Sequence, residues 1–204
     1  MALPSLAITL REAQTQIDKL QRHKIDAERL EAKYQHFIGE MIMLRLFTIF
    51  EDTVAELAYK IAAGGKYLNG KSPMLIARAS RAQDSRALFL THGRAKPFSH
   101  LKWTKARYIR ESIETVIPAN EKFIVAAQIH GQTIEEMRRT RNALAHNTTS
   151  ARSDFRDVIR QTYGAHIALT PGVFLISTKR SNVCQMNRYL SSTKAILTAM
   201  SSGQ

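Results

Sequence analysis

The stretch RRTRNALAHN, residues 138–147, brings together an arginine, an asparagine and a histidine: Arg141, Asn142 and His146. A guanidinium group binds two oxygens of an anionic group at once and does not lose its proton in proteins. An imidazole accepts and donates protons near neutral pH, and an amide can orient either neighbour by hydrogen bonding. These three side chains are therefore suited to stabilising charge on a phosphoryl group and to moving protons at it.

The spacing between Arg141 and His146 is weak evidence on its own. A looser spacing, with five intervening residues, recurs in three other pairs: Arg86 with His92, Arg94 with His100 and Arg160 with His166. The 141–146 pair differs because a capping-box pattern, Thr133 followed by Glu136, predicts the start of a helix that carries it. The pair then falls at the C-terminal end of that helix.

The periodicity of this helix places Arg141 on its apolar face. Steps of 3, 4 and 3 residues connect Ile134, Met137, Arg141 and Leu144. A guanidinium group there needs a partner or a polar cleft, and Asn142 and His146 lie one turn apart on the adjoining face. An ordinary helix end remains the alternative, because cations near a C-terminus gain about 0.3–1 kcal/mol from the helix dipole and Asn147 could be the C-cap.

The composition favours a polyanionic partner. The chain of 204 residues has 30 Lys and Arg against 17 Asp and Glu, a net charge of +13, which suits nucleic acid or an anionic membrane face. The single cysteine, Cys184, excludes an intramolecular disulfide and a cysteine-based zinc site. Because no stretch approaches the roughly 18 apolar residues of a membrane span and the N-terminus does not resemble a signal peptide, we expect a soluble, cytoplasmic protein. We expect no metal or cofactor, since the sequence has no His-Glu-x-x-His motif, no cluster of Cys and no group of carboxylates suited to magnesium.

Hydrophobic periodicity predicts helices over most of the chain. Residues 6 to about 63 are expected to form two helices with a weak point at Gly39, and Gly64 and Gly65 to end the second. The strongest apolar stripe contains Met43, Phe47, Phe50, Val54, Leu57 and Ile61. Further helices are predicted at about 74–90, 104–116, 154–163 and 182–200, the last with Val183, Met186, Leu190, Leu197 and Met200 on one side.

One segment is expected to form β-structure. Residues 166–176 alternate in polarity around a Thr-Pro-Gly turn, which indicates a small β-hairpin. The segment NEKFIVAAQIHG is ambiguous between helix and strand. The expectation is thus a single all-α domain, residues 1–204, with one hairpin insertion.

The motif RNALAHN resembles the signature of HEPN domains, an Arg followed four to six residues later by His, often with Asn directly after the Arg. The segment LFTIFEDTVAEL, residues 46–57, is similar to the helix that packs against the motif helix in several bacterial HEPN families, and Glu51 stands where that helix often carries an acidic residue. The chain lacks the Tyr that some toxin families have two residues after the His. The resemblance implies a HEPN-like bundle, an antiparallel up-down core of about four to five main helices, to which the hairpin would be an addition.

The resemblance also implies an activity, metal-independent RNA cleavage by attack of the 2′-OH to give a 2′,3′-cyclic phosphate. His146 would transfer protons, Arg141 would bind the phosphoryl charge and Asn142 would orient either. It further implies a homodimer and a toxin or anti-phage effector, with a cognate antitoxin as a possible partner. Two alternatives stay open: a non-catalytic RNA-binding HEPN module, and a helical interaction protein that binds an acidic partner.

Other residues could extend an RNA-binding surface. Lys102, Trp103 and Lys105 combine cations with an aromatic ring, as in single-strand binding sites, although a lone Trp is more often packed in the core. Arg138 and Arg139 flank the motif and could contact phosphates or form a solvated helix face. Glu51 could support Arg141 by pairing with it, or could be a surface charge.

Overall fold

The computed structural model describes residues 4–146 and 148–204, and helices are the only regular secondary structure in this part of the chain. The helices are α1 Leu6–Ala27, α2 Ala32–Ala62, α3 Ser85–Thr91, α4 Ala106–Ile113, α5 Lys122–Ile129, α6 Gly131–Ala145, α7 Thr149–Tyr163, α8 Pro171–Ile176 and α9 Gln185–Ser202. The predicted all-α class is confirmed. None of the described helices combines the length and the apolar character that crossing a bilayer requires.

The chain divides into two compact units. The first consists of Met1–Gln14, Phe50–Ile134 and Ala195–Gln204, and the second of Thr15–Ile49 and Glu135–Lys194. The boundaries fall within α1, α2, α6 and α9. The motif residues Arg141 and His146 belong to the second unit, and the single domain expected over residues 1–204 stays a prediction.

The predicted apolar stripe of α2 is confirmed as core. Each of its six residues from Met43 to Ile61 is at most 1% exposed. The helix also ends as predicted: Ala62 is its last residue, and Gly64 has a φ of 85°, a left-handed conformation that glycine adopts at no steric cost.

In the first unit, a buried carboxylate fixes the start of α5. Glu121 accepts hydrogen bonds from the Tyr67 hydroxyl at 2.8 Å, from the Met74 backbone N–H at 2.8 Å and from the Lys122 backbone N–H at 3.1 Å. Burial and the bond to Glu121 raise the pKa of Tyr67. The ambiguous segment NEKFIVAAQIHG is thereby helical, with Phe123 and Ile124 fully buried.

In the second unit, α6 packs along α9. The Thr193 hydroxyl contacts Met137 Sδ at 3.4 Å, and Thr140 Oγ1 lies 3.4 Å from the Tyr189 hydroxyl. Burial raises the pKa of Tyr189, which therefore stays a neutral core residue. The middle of α6 is therefore held against α9 by side chains that are fully buried.

The capping box expected at Thr133 is wrong. α6 begins at Gly131, and the Ile134 N–H donates to the His130 carbonyl at 3.1 Å, so the helix has started before Thr133. Glu136 is buried instead and forms an ion pair with Arg188 of α9. The prediction failed because a Glu at position 136 is compatible with a capping box and also with an ion pair to another helix.

The β-hairpin expected over residues 166–176 is also wrong. Pro171–Ile176 is the helix α8, and the Thr170 hydroxyl caps it by accepting from the Val173 N–H at 3.5 Å. Proline suits the first turn of a helix, since its fixed φ is helical and it lacks an N–H that would be unpaired there. The Gly172 N–H donates to Glu40 Oε1 of α2 at 3.0 Å, which fixes α8 in place.

The break between the first two helices lies at residues 28–31, so Gly39 falls inside α2. A Cβ at Gly39 would lie 2.6 Å from Ile176 Cγ1, so close packing explains this glycine. Two other bounds shift: the helix predicted at 74–90 is only Ser85–Thr91 after a short 3₁₀ turn, and Val183, 54% exposed, precedes α9. The C-cap role expected for Asn147 lies outside the described residues.

Candidate functional site

Arg141 lies near the end of α6, where the apolar face of the helix reaches the surface. Ile134 and Met137 on that face are fully buried, whereas Arg141 is half-buried. Its guanidinium carbon lies 5.8 Å from the centroid of the Phe47 ring, a cation–π contact. Its Nη1 donates to Asn142 Oδ1 at 3.1 Å. An aromatic ring and an amide therefore provide the partners that its apolar position requires.

His146 directly follows the last residue of α6 and is exposed. Its backbone N–H donates to the Asn142 carbonyl at 2.9 Å, so the last helical turn extends to His146. The predicted separation of Asn142 and His146 by one turn is confirmed. The arrangement combines a held guanidinium with an imidazole that solvent and a ligand can reach.

Arg138 and Arg139 are engaged in ion pairs within the second unit. Arg138 binds both carboxylate oxygens of Glu135, each at 2.8 Å, and lies 3.7 Å from Asp154 Oδ2. Arg139 Nε donates to Glu135 Oε1 at 3.0 Å. Because both guanidinium groups are bound to Glu135 and the Arg138 side chain is only 14% exposed, a structural role is favoured over phosphate contact.

A groove that the sequence did not indicate lies beside the motif. It has a volume of about 630 Å³ and is bounded by Ala143 of α6, by α7 and by residues 167–171. Arg152 and Arg156, one turn apart on α7, are exposed and line it, and its apolar lining includes Phe155 and Leu169. The four-residue spacing of Arg152 and Arg156 was the only sequence signal for this groove. Its other wall is formed by residues 167–171, most of which belong to the segment that was predicted to be a hairpin.

In the first unit, Trp103 is a core residue. It is 9% exposed, and its ring meets the Tyr59 ring edge-on with 5.9 Å between centroids. The ammonium groups of Lys102 and Lys105 lie 5.3 and 5.4 Å from the centroid of the Tyr108 ring. The burial of Trp103 favours packing over stacking on a base, whereas the two lysines remain at or near the surface.

Arg94, another cation of this stretch, organises its loop. Its side chain donates to the backbone carbonyls of Phe89, Glu111 and Ser112, each at 2.9 Å. The same guanidinium lies 3.6 Å from the centroid of the Phe98 ring. These contacts assign Arg94 a structural role.

Glu51 is half-buried on α2 in the first unit, whereas Arg141 belongs to the second. The support that Glu51 was expected to give Arg141 stays a prediction. Within residues 4–146 and 148–204, no group of three or more His, Cys, Asp or Glu side chains could together hold a metal ion.

Comparison with models of protein families, with curated proteins and with solved structures gives no match to this chain. Membership of the HEPN superfamily, which the motif and residues 46–57 suggested, therefore stays a prediction.

Proposed function

We propose that this protein is a metal-independent endoribonuclease of the HEPN type, with Arg141, Asn142 and His146 as its catalytic residues. One observation supports this most: Arg141 is held against Phe47 and Asn142 while His146 stands exposed within one turn of Asn142.

In the reaction, the ribose 2′-OH loses its proton and its oxygen attacks the adjacent phosphorus. The bond from phosphorus to the 5′ oxygen breaks, and that oxygen takes up a proton. The products are a 2′,3′-cyclic phosphate and a 5′-OH, with no net consumption of water. Arg141 binds the non-bridging oxygens, whose charge grows in the transition state, and His146 moves a proton.

Asn142 is suited to orient the guanidinium. Its Oδ1 accepts from Arg141 Nη1, so its amide nitrogen is the end that donates to a phosphate oxygen or to an imidazole. Fixing the guanidinium before RNA binds reduces the entropy lost on binding.

The reaction needs both an acid and a base, and one imidazole does not easily serve as both in one in-line displacement. A homodimer supplies a second His146, because a twofold interface brings two copies of the same surface together. An active protein whose molar mass by light scattering is that of one chain, 23.0 kDa, would contradict this part of the proposal.

The substrate is single-stranded or tRNA-like RNA. The groove beside α6 pairs an apolar lining with Arg152 and Arg156, which suits an unstacked base and its flanking phosphates. Lys102 and Lys105 are further candidates for phosphate contact.

A toxin or anti-phage effector is the cellular role that fits such an enzyme, and a cognate antitoxin would then be its partner. Expression of the wild type should arrest growth, and His146→Ala should relieve the arrest. His23→Ala, which alters another exposed histidine of the second unit, should leave the arrest in place.

A short RNA incubated with the purified protein and EDTA tests the chemistry. The expected result is cleavage to 5′-OH ends and a cyclic phosphate, and no cleavage where the RNA carries a single 2′-deoxy substitution at the scissile nucleotide. Binding without cleavage would instead indicate a non-catalytic RNA-binding module. Absence of RNA affinity at low salt would indicate a helical protein that binds an acidic partner.

A further inference from the structure

One segment of the first unit carries a strong positive charge. Residues 85–110 contain seven Lys and Arg and two His, and no Asp or Glu. Two of the seven cations pair with the carboxylates that follow, Glu111 at 2.6 Å and Glu114 at 3.2 Å. Residues 95–100, in the loop between α3 and α4, are all exposed and include a Lys and a His. The charge of this loop suits a polyanion.

The loop presents an aromatic ring whose position is fixed. Phe98 is 40% exposed, and its backbone N–H donates to the Leu90 carbonyl at 2.9 Å. The Arg94 guanidinium lies 3.6 Å from the centroid of the Phe98 ring, a distance that is reached only over the face of a ring. Arg94 is itself held by its bonds to three backbone carbonyls. One face of the ring is therefore covered, and its exposed area belongs to the other face and the edge.

Phe98 borders a shallow pocket that a second ring also lines. The pocket has a volume of about 190 Å³, and Tyr108 lies on it together with Lys102 and Glu111. The ammonium groups of Lys102 and Lys105 lie 5.3 and 5.4 Å from the centroid of the Tyr108 ring. The volume is below the ~300–1,000 Å³ that is usual for small-molecule sites. The pocket therefore suits one flat group that is attached to a longer ligand.

The geometry points to a stacking site for an unpaired base of a single-stranded nucleic acid, with the base on the open face of Phe98 and the neighbouring phosphates on Lys96 and Lys102. Every base has a π face that stacks on an aromatic ring, and cations beside the ring contact the backbone. A ring that is already fixed loses little entropy when a base stacks on it. The site goes beyond the proposed ribonuclease, because it requires binding alone and His146 belongs to the second unit.

Fluorescence anisotropy of a short labelled single strand tests the proposal. The strand is DNA, which has no 2′-OH and is not cut by the proposed reaction, so binding is measured apart from cleavage. Phe98→Ala should weaken binding by ~5- to 100-fold, the usual effect of losing one stacked base. Phe37→Ala, the matched control, removes a ring that is 58% exposed on α2 and should change affinity less than ~2-fold.

Two other substitutions at the same position separate stacking from apolar contact. Phe98→Leu keeps much of the apolar volume but has no ring, so it should bind as weakly as Phe98→Ala. Phe98→Trp has a larger π face and should bind at least as tightly as the wild type. A duplex of the same sequence, whose bases are already stacked on one another, should bind Phe98→Ala and the wild type equally.

Salt dependence separates the ring from the cations. Lys102→Ala should reduce the steepness of log K against log salt by ~0.7, the value for one phosphate contact with a single strand. Phe98→Ala should leave the slope unchanged, because it removes no charge. Lys66→Ala, at an exposed position of the same unit, should also leave it unchanged.

Three results would overturn the proposal: wild-type affinity in Phe98→Ala, wild-type affinity in Phe98→Leu, or equal losses in Phe98→Ala and Phe37→Ala. Absence of single-strand binding at low salt would also overturn it and would leave the loop as a surface for an acidic protein segment. Should Phe98→Ala fail to fold, Phe98→Leu decides, since it keeps more of the contact with Arg94.

Discussion

Among single residues, Arg141 has the most informative surroundings. A cation on the apolar face of a helix is costly unless something compensates it, and here the Phe47 ring and the Asn142 amide do so. Both contacts also limit the orientations open to the guanidinium. The proposed mechanism therefore includes Asn142 as well as the Arg and His of the motif.

Asn142→Ala tests that assignment. The single-turnover rate of RNA cleavage should fall by ~10- to 100-fold, since a misdirected guanidinium binds the transition state poorly. The free energy of unfolding, from urea titration, should change by less than about 1 kcal/mol because Asn142 is not in the core. Asn182→Ala, at an exposed position, is the control. An unchanged cleavage rate in Asn142→Ala would remove this residue from the mechanism.

Residue identity and helical period were sufficient to predict that Arg141 lies on an apolar face and that His146 follows one turn after Asn142. They were not sufficient to identify Phe47 as the partner of Arg141, because that contact joins residues far apart in the chain. Trp103 is a residue whose surroundings the sequence left open. Its basic neighbours suggested RNA contact, although a lone Trp is more often packed, and its ring is buried against Tyr59.

At the scale of elements, the helices with long apolar stripes were the predictable ones. The apolar stripe of α2 can be recognised from local residue spacing alone, and its six residues are buried as that spacing predicts. Short elements were not predictable, because the same short sequence is compatible with two different local structures. Thr-Pro-Gly can form a turn or start a helix, and only contacts such as that of Gly172 with Glu40 decide in favour of α8.

Gly39→Ala tests the packing of α8 on α2. A Cβ there would meet the side chain of Ile176, so the free energy of unfolding should fall by ~1–3 kcal/mol despite the better helix propensity of Ala. In an Ile176→Ala background the atoms in conflict are gone, and the same substitution should be neutral or stabilising. Urea titration of the four proteins gives the coupling. Equal effects of Gly39→Ala in both backgrounds would contradict this packing.

For the whole molecule, the 30 Lys and Arg side chains behind the net charge of +13 are not equally available to a polyanion. Arg138 and Arg139 share Glu135, and Arg188 pairs with Glu136. Arg152 and Arg156 are exposed along the groove beside the motif. RNA affinity should thus depend on a small set of positions and not on net charge alone.

The salt dependence of RNA binding measures this difference. Arg156→Ala should reduce the steepness of log K against log salt by ~0.7, the value for one phosphate contact with a single strand. Arg22→Ala removes an equal charge from an exposed position on α1 and should leave the slope unchanged. Equal slopes for the two variants would mean that the groove is not the RNA path.

The most direct measurement is the single-turnover rate of RNA cleavage, in EDTA, for the wild type, His146→Ala and His23→Ala. Loss of a proton-transferring group costs 10²–10⁴-fold in typical enzymes, so we expect a drop of at least ~100-fold for His146→Ala. We expect the wild-type rate for His23→Ala, since that histidine is exposed on α1. Cleavage by His146→Ala at the wild-type rate would contradict the assignment of the active site to the end of α6.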